Sequence, residues 1–236
     1  MKVGITLPQF RPSSDPALAA VRTAEDEGLD GVFVFDHIWA IGQPDRPARN
    51  VWPLLGAIAG ETERIHLGPL VARVSLLANA VLVHNLETLH RMVGNRLIAG
   101  IGAGDRLSKA ENVALDLPFP PVDERIADLR EVALAVRALG ITTWIGGTSD
   151  QVHAAAVADA DALNLWDVAP ERIAAVSDVA VTWGGPVPDT VPATTDLLRR
   201  LAAAGATWAV CAPPYRSTSD PVSAVRIVTE ATAALR

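Results

Sequence analysis

Three short stretches carry side chains of types and spacing that could do chemistry. In FVFDHIW, residues 33–39, an apolar run ends on Asp36 and His37. A neutral imidazole both accepts and donates protons near neutral pH, which suits a relay beside a reacting centre. The other reading is an Asp36 carboxylate bonded to loop amides and a solvated His37 ring. In RLIAGIGAGDR, residues 96–106, glycines stand at 100, 102 and 104 and an acid follows at 105. A dinucleotide fingerprint needs glycine where Asp105 stands, and a carboxylate there repels pyrophosphate. Gly102 and Gly104 instead suit the close approach of a flat ring to the backbone, with no Cβ between. Asp105 then either projects into a pocket as an acid or hydrogen-bonding group, or caps the next helix. In WIGGTSD, residues 144–150, Gly146, Gly147, Thr148 and Ser149 precede a helical pattern. Small residues, hydroxyls and free N–H groups there would receive a phosphate or acidic tail, unless the segment is a plain capped turn.

Other chemistries lack their residues. His66, His84, His90 and His153 do not pair at a metal-binding spacing, so no metal site is expected. There is no G-x-S-x-G elbow, and the single cysteine, Cys211, sits inside an apolar run, so covalent nucleophilic catalysis has no candidate. Twenty basic and 27 acidic residues give a net charge of −7 with no basic cluster, which argues against nucleic acid as a partner. No apolar stretch approaches the ~20 residues of a membrane span, and the N-terminus lacks a signal-peptide core. A cytoplasmic protein acting on a small molecule is the expectation. Among the six tryptophans, Trp166 and Trp183 fall at strand ends and are the candidates for a pocket wall.

The elements that would position these stretches alternate strictly. Strand-like runs fall at residues 3–7, 31–35, 65–71, 96–101, 142–145, 162–165, 179–183 and 207–211, with a helical pattern after each. The clearest helix carries Ile126, Leu129, Val132, Val136 and Leu139 on one stripe. Gly28, Gly140 and Gly205 each stand between a helical pattern and the next strand, where a left-handed helix end is wanted. Eight such units predict parallel strands joined by right-handed crossovers and closed as a (β/α)8 TIM barrel. A chain of 236 residues, half of them hydrophobic and with mean hydropathy +0.25, has no linker or composition shift, so one domain over 1–236 is expected. In such a barrel, ligands gather at the C-terminal ends of the strands, where all three stretches fall.

Taken in order, GITLPQF, GLDGVFVFDHIW, TERIHLGPLV, NRLIAGIGAGD, DLPFPPVDERIADLREVALAVRALG and WIGGTS resemble the bacterial luciferase-like flavin- or deazaflavin-dependent oxidoreductases over nearly the whole chain. The resemblance implies coenzyme F420, or alternatively FMN, with its ring at the barrel mouth. It implies that Asp36 contacts the ring or its polyol chain and that His37 transfers protons at the reacting face. It further implies that Asp105 borders the reacting site, that Ser108 contacts the cofactor and that residues 146–149 hold its phosphate end. A non-prolyl cis peptide behind the ring would fall near Leu70 and Val71. The activity implied is F420-dependent hydride transfer to or from a small organic substrate; the alternatives are an FMN-dependent monooxygenase and a non-catalytic flavin- or deazaflavin-binding protein. A homodimer is the assembly it suggests. The family often carries long insertions before strands 5 and 8. Both are short here, which predicts a shallow, open pocket.

Overall fold

The computed structural model describes residues 1–215 and 220–235; the expected domain, 1–236, also takes in 216–219 and 236, which lie outside the described residues. In chain order the elements are β1 (Lys2–Thr6), α1 (Asp15–Asp26), β2 (Gly31–Val34), β3 (Trp39–Ala40), β4 (Gln43–Pro47), α2 (Val51–Glu61), β5 (His66–Pro69), β6 (Ala72–Arg73) and α3 (Asn79–Val93). They continue with β7 (Ile98–Gly102), α4 (Lys109–Ala114), α5 (Val122–Ala138), β8 (Thr142–Gly146), α6 (Asp150–Asp159), β9 (Ala162–Trp166), α7 (Pro170–Ala174), β10 (Val181–Pro186), α8 (Val191–Ala203), β11 (Trp208–Ala212) and α9 (Pro221–Ala233).

Nine parallel strands run in the order β5-β2-β1-β11-β10-β9-β8-β7-β6. β5 and β6 are successive pieces of one stave, parted at Leu70–Val71, where the peptide bond is cis. A parallel bridge from Leu67 to Leu97 sets β5 beside the entrance to β7, and β6 pairs with β7 further on. The ring therefore closes as a barrel of eight staves, as the alternation predicts. The single strand expected over 65–71 is the exception, since an apolar run does not show where its pairing breaks. A second difference is the small antiparallel hairpin β3–β4, which the sequence hides because its second strand, QPDRP, is exposed throughout and holds two prolines.

The staves are buried on both faces, so Val, Ile and Leu run through them without polar alternation. Gly28, Gly140 and Gly205 take φ of +84°, +76° and +94° and end their helices as expected. Inside the barrel Phe33, Trp144 and Trp208 pack with ring centroids 5.3, 5.4 and 5.9 Å apart. Each such aromatic pair contributes about 0.5–1.5 kcal/mol beyond its burial. Leu70 joins this cluster, which plugs the barrel beneath the site. Among the described residues no helix is long and apolar enough to cross a membrane.

Candidate active site

A cavity of about 730 Å³ opens at the carboxyl ends of the staves, within the size range of small-molecule and cofactor sites. His37 lines it. Just before it, Gln9 clamps the backbone of Phe35, donating from Nε2 to the carbonyl at 2.8 Å and accepting the Phe35 N–H at 2.6 Å. His37 Nδ1 lies 2.7 Å from Glu111 Oε1. Glu111 Oε2 accepts the Ile38 N–H at 2.8 Å and Arg73 Nη2 at 2.7 Å. Burial pushes the Glu111 carboxyl up, but the bonds from His37 and Ile38 and the charges of His37 and Arg73 outweigh it and hold it below its ordinary value. An ionised carboxylate only accepts, so Nδ1 carries a proton whether the ring is charged or neutral, and Nε2 is the nitrogen left for the cavity, a base when the ring is neutral.

Asp36 takes another course. Its Oδ2 accepts the Arg73 N–H at 2.9 Å, and Arg73 Nε donates to the Asp36 carbonyl at 2.9 Å. Asp36 is not part of the cavity wall, whereas the resemblance sets it against the cofactor. Burial raises its pKa, only partly offset by the Arg73 N–H and the charges of Arg73 and His37. Asp36 thus anchors Arg73, and Arg73 anchors Glu111.

Gly102 and Gly104 both line the cavity, but the space that Gly102 frees is already taken. A Cβ on Gly102 would lie 2.4 Å from Val71 Cγ2, and one on Gly146 2.7 Å from Val71 Cγ1. Gly102 and Gly146 admit the Val71 side chain between β7 and β8, and Leu70 and Val71 supply an apolar patch of the wall. Gly104, at φ +73°, turns the chain toward Asp105.

Asp105 Oδ1 accepts both the N–H and the hydroxyl of Ser108 at 2.9 Å. Burial pushes the Asp105 carboxyl up, but the bonds from Ser108, the Leu107 N–H and the His37 charge hold it below the usual range. It faces the cavity as an ionised acceptor, and Ser108, also in the wall, spends its hydroxyl on that turn. Asp105 therefore closes the turn ahead of α4 rather than capping the helix, whose N-cap is Ser108 without a side-chain cap bond. Residues 146–149 all line the cavity; Ser149 Oγ caps α6 by accepting the Val152 N–H at 3.3 Å. Trp166 lines the wall, edge-on to Phe35 at 5.3 Å, while Trp183 is buried and donates to the Val168 carbonyl at 3.0 Å.

Sequence reasoning missed Glu111, Arg73 and Arg125. Glu111 sits on the short α4, 74 residues from His37, in a segment with no apolar period. Arg125 had a signal: it occupies the buried stripe of α5 one turn before Leu129, where an arginine is out of place. Among the described residues no group of three or more His, Cys, Asp or Glu is placed to hold a metal ion.

The family model described as luciferase-like monooxygenase matches residues 1–209. The chain belongs to the luciferase-like monooxygenase family. Two curated relatives are both named F420-dependent glucose-6-phosphate dehydrogenase. The protein of Beutenbergia cavernae is 35% identical over 156 residues, covering 64% of this chain and 44% of the relative. That of Nakamurella multipartita is 33% identical over 141 residues, covering 58% and 38%. The chain thus spans less than half the length of these relatives. A solved F420-dependent secondary alcohol dehydrogenase, in complex with an F420–acetone adduct, superposes with a TM-score of 0.84 at 16% identity over 100% of this chain and 99% of that one. At that identity the likeness establishes a shared luciferase-like barrel.

Proposed function

We propose that this chain is an F420-dependent oxidoreductase moving a hydride between the deazaflavin and a small organic substrate at the barrel mouth. The observation that carries the reading is His37, held at the cavity by a buried, ionised Glu111 so that Nε2 is the free nitrogen. The F420-dependent enzymes among the relatives supply the cofactor in this reading.

The residues present fit such a group. Leu70 and Val71 give an apolar patch for a flat ring, and the backbone and hydroxyls of residues 146–149 offer donors to a phosphate at the head of α6. F420, when bound, supplies a two-electron carrier that gives or takes a hydride. His37 Nε2 accepts the hydroxyl proton as a substrate alcohol is oxidised, and returns it in the reverse direction. Glu111 keeps the proton on Nδ1 and the ring in place. Asp105 accepts a hydrogen bond from substrate or cofactor at the cavity wall. The apolar plug below and the wall of Phe35, Val71 and Trp166 give the reacting carbon apolar surroundings.

The test is to express the chain in a host that makes F420, identify what co-purifies, and follow bleaching of the deazaflavin absorbance with a panel of alcohols. Co-purified F420 that a substrate reduces, with His37→Ala keeping the cofactor and losing turnover, supports the proposal. Bound F420 with no turnover across the panel supports a carrier instead, and oxygen uptake with reduced FMN supports a monooxygenase.

A further inference from the structure

Two buried arginines reach the same cavity, and they differ in how their charge is met. Arg73 is 3% exposed and is neutralised by Glu111 at 2.7 Å. Arg125 is 7% exposed and belongs to none of the ion pairs among the described residues. Its guanidinium lies 4.1 Å over the Phe119 ring. Nε donates to the Pro120 carbonyl at 3.0 Å, and Nη1 donates to the carbonyls of Ala103 and Gly104 at 2.6 and 2.5 Å. These three bonds fix the plane of the fork and leave both N–H groups of Nη2 without a partner among the described residues.

Nη2 is also not one of the sealed, unpartnered atoms of the interior, and Arg125 lines the cavity, so that is where Nη2 opens. A guanidinium taken out of water calls for an anion. The nearest carboxylate acting on it is Asp105, beyond ion-pair distance and with Oδ1 committed to Ser108. Burial lowers the Arg125 pKa and the Asp105 charge only partly restores it.

We propose that Arg125 selects a substrate bearing a carboxylate or phosphate, which Nη2 binds inside the cavity that holds His37. This rests on the F420-dependent reading above and adds the substrate's charge class to it. The preset fork makes the contact directional: a charge-assisted bond to an anion loses little entropy, and a neutral analogue leaves the buried cation unmet. The apolar side chains of Phe35, Ile41, Val122 and Trp166 in the same wall suit the carbon skeleton of such an acid.

The experiment is calorimetric titration of the F420-loaded protein with benzoate and phenyl phosphate, and with the neutral benzamide, in wild type, Arg125→Gln and Arg125→Lys. F420 affinity is measured first. Absence of F420 binding overturns the function proposed above and, with it, this inference; F420 binding with no anion preference overturns only this inference. The expected result is at least about tenfold tighter binding of an anionic probe than of benzamide. That preference should vanish in Arg125→Gln and be partly kept in Arg125→Lys, with F420 affinity within about twofold throughout. An Arg125→Gln variant that loses F420 affinity but keeps the probe preference would assign Nη2 to the cofactor's own anionic tail and sink the proposal. Should Arg125→Gln fail to fold, the wild-type ratio and Arg125→Lys decide in the same way.

Discussion

Glu111→Gln is the most informative single change, because it keeps the shape of a side chain that is 1% exposed and removes only its charge and one acceptor. The carboxylate serves three donors: His37 Nδ1, the Ile38 N–H and Arg73 Nη2. A glutamine has one oxygen, which goes to the side holding two donors, Ile38 and Arg73. Its NH2 then faces His37 Nδ1, which must become an acceptor, so the ring proton moves to Nε2 and the cavity meets a donor in place of a base. Breaking one partner from a buried ion pair costs about 3–5 kcal/mol. Arg73 keeps the Asp36 carbonyl and the glutamine oxygen, which puts the loss near the lower end. At roughly 2–4 °C per kcal/mol for a chain of this size, Tm should fall by about 6–12 °C. Nitrogen NMR of His37 should report the tautomer change, and turnover on any substrate found should drop about 10²–10⁴-fold. An unchanged tautomer with Tm within about 1 °C of wild type would refute the assignment of Glu111 as the group that holds His37.

Three further outcomes follow from the same geometry. Gly102→Ala sets a Cβ 2.4 Å from Val71 Cγ2, so it should cost about 1–3 kcal/mol and weaken F420 binding, whereas Gly56→Ala inside α2, with no atom within 4 Å, should be neutral or stabilising in the same urea titration. Because the Glu111 carboxyl is held below its ordinary value, its stabilisation is complete above that ordinary value and is lost as pH falls through the native one. The gap in urea midpoint between wild type and Glu111→Gln should thus be constant above about pH 5 and close below it. The Cys211 thiol is fully buried and pushed up to about 12, so iodoacetamide at neutral pH should label it only when the chain is unfolded; rapid labelling of folded protein would contradict its place in the core.

The barrel was legible because each of its units repeats the same physical pattern: a doubly buried apolar strand, a striped helix, and in three cases a glycine at the helix end. The break in the third stave was not, since Leu70 and Val71 are as apolar as their neighbours and only pairing partners distant in sequence reveal it. His37, Asp105 and residues 146–149 were findable by position alone, as the first polar or small groups beyond a strand. Their roles needed the fold. Nothing local to Glu111 or Asp36 says that both reach Arg73, and the glycines of GIGAGD point as naturally to a ring as to the Val71 side chain that in fact packs against Gly102. Arg125 on the buried stripe of α5 is the one hidden residue that the sequence displayed openly.

The cofactor decides the chemistry open to His37. Titrating the purified chain with F420 and, separately, with FMN while following cofactor fluorescence identifies it. Saturable F420 binding in the micromolar range or tighter, with FMN at least about tenfold weaker, is the predicted result. Micromolar FMN binding with no response to F420 would contradict it.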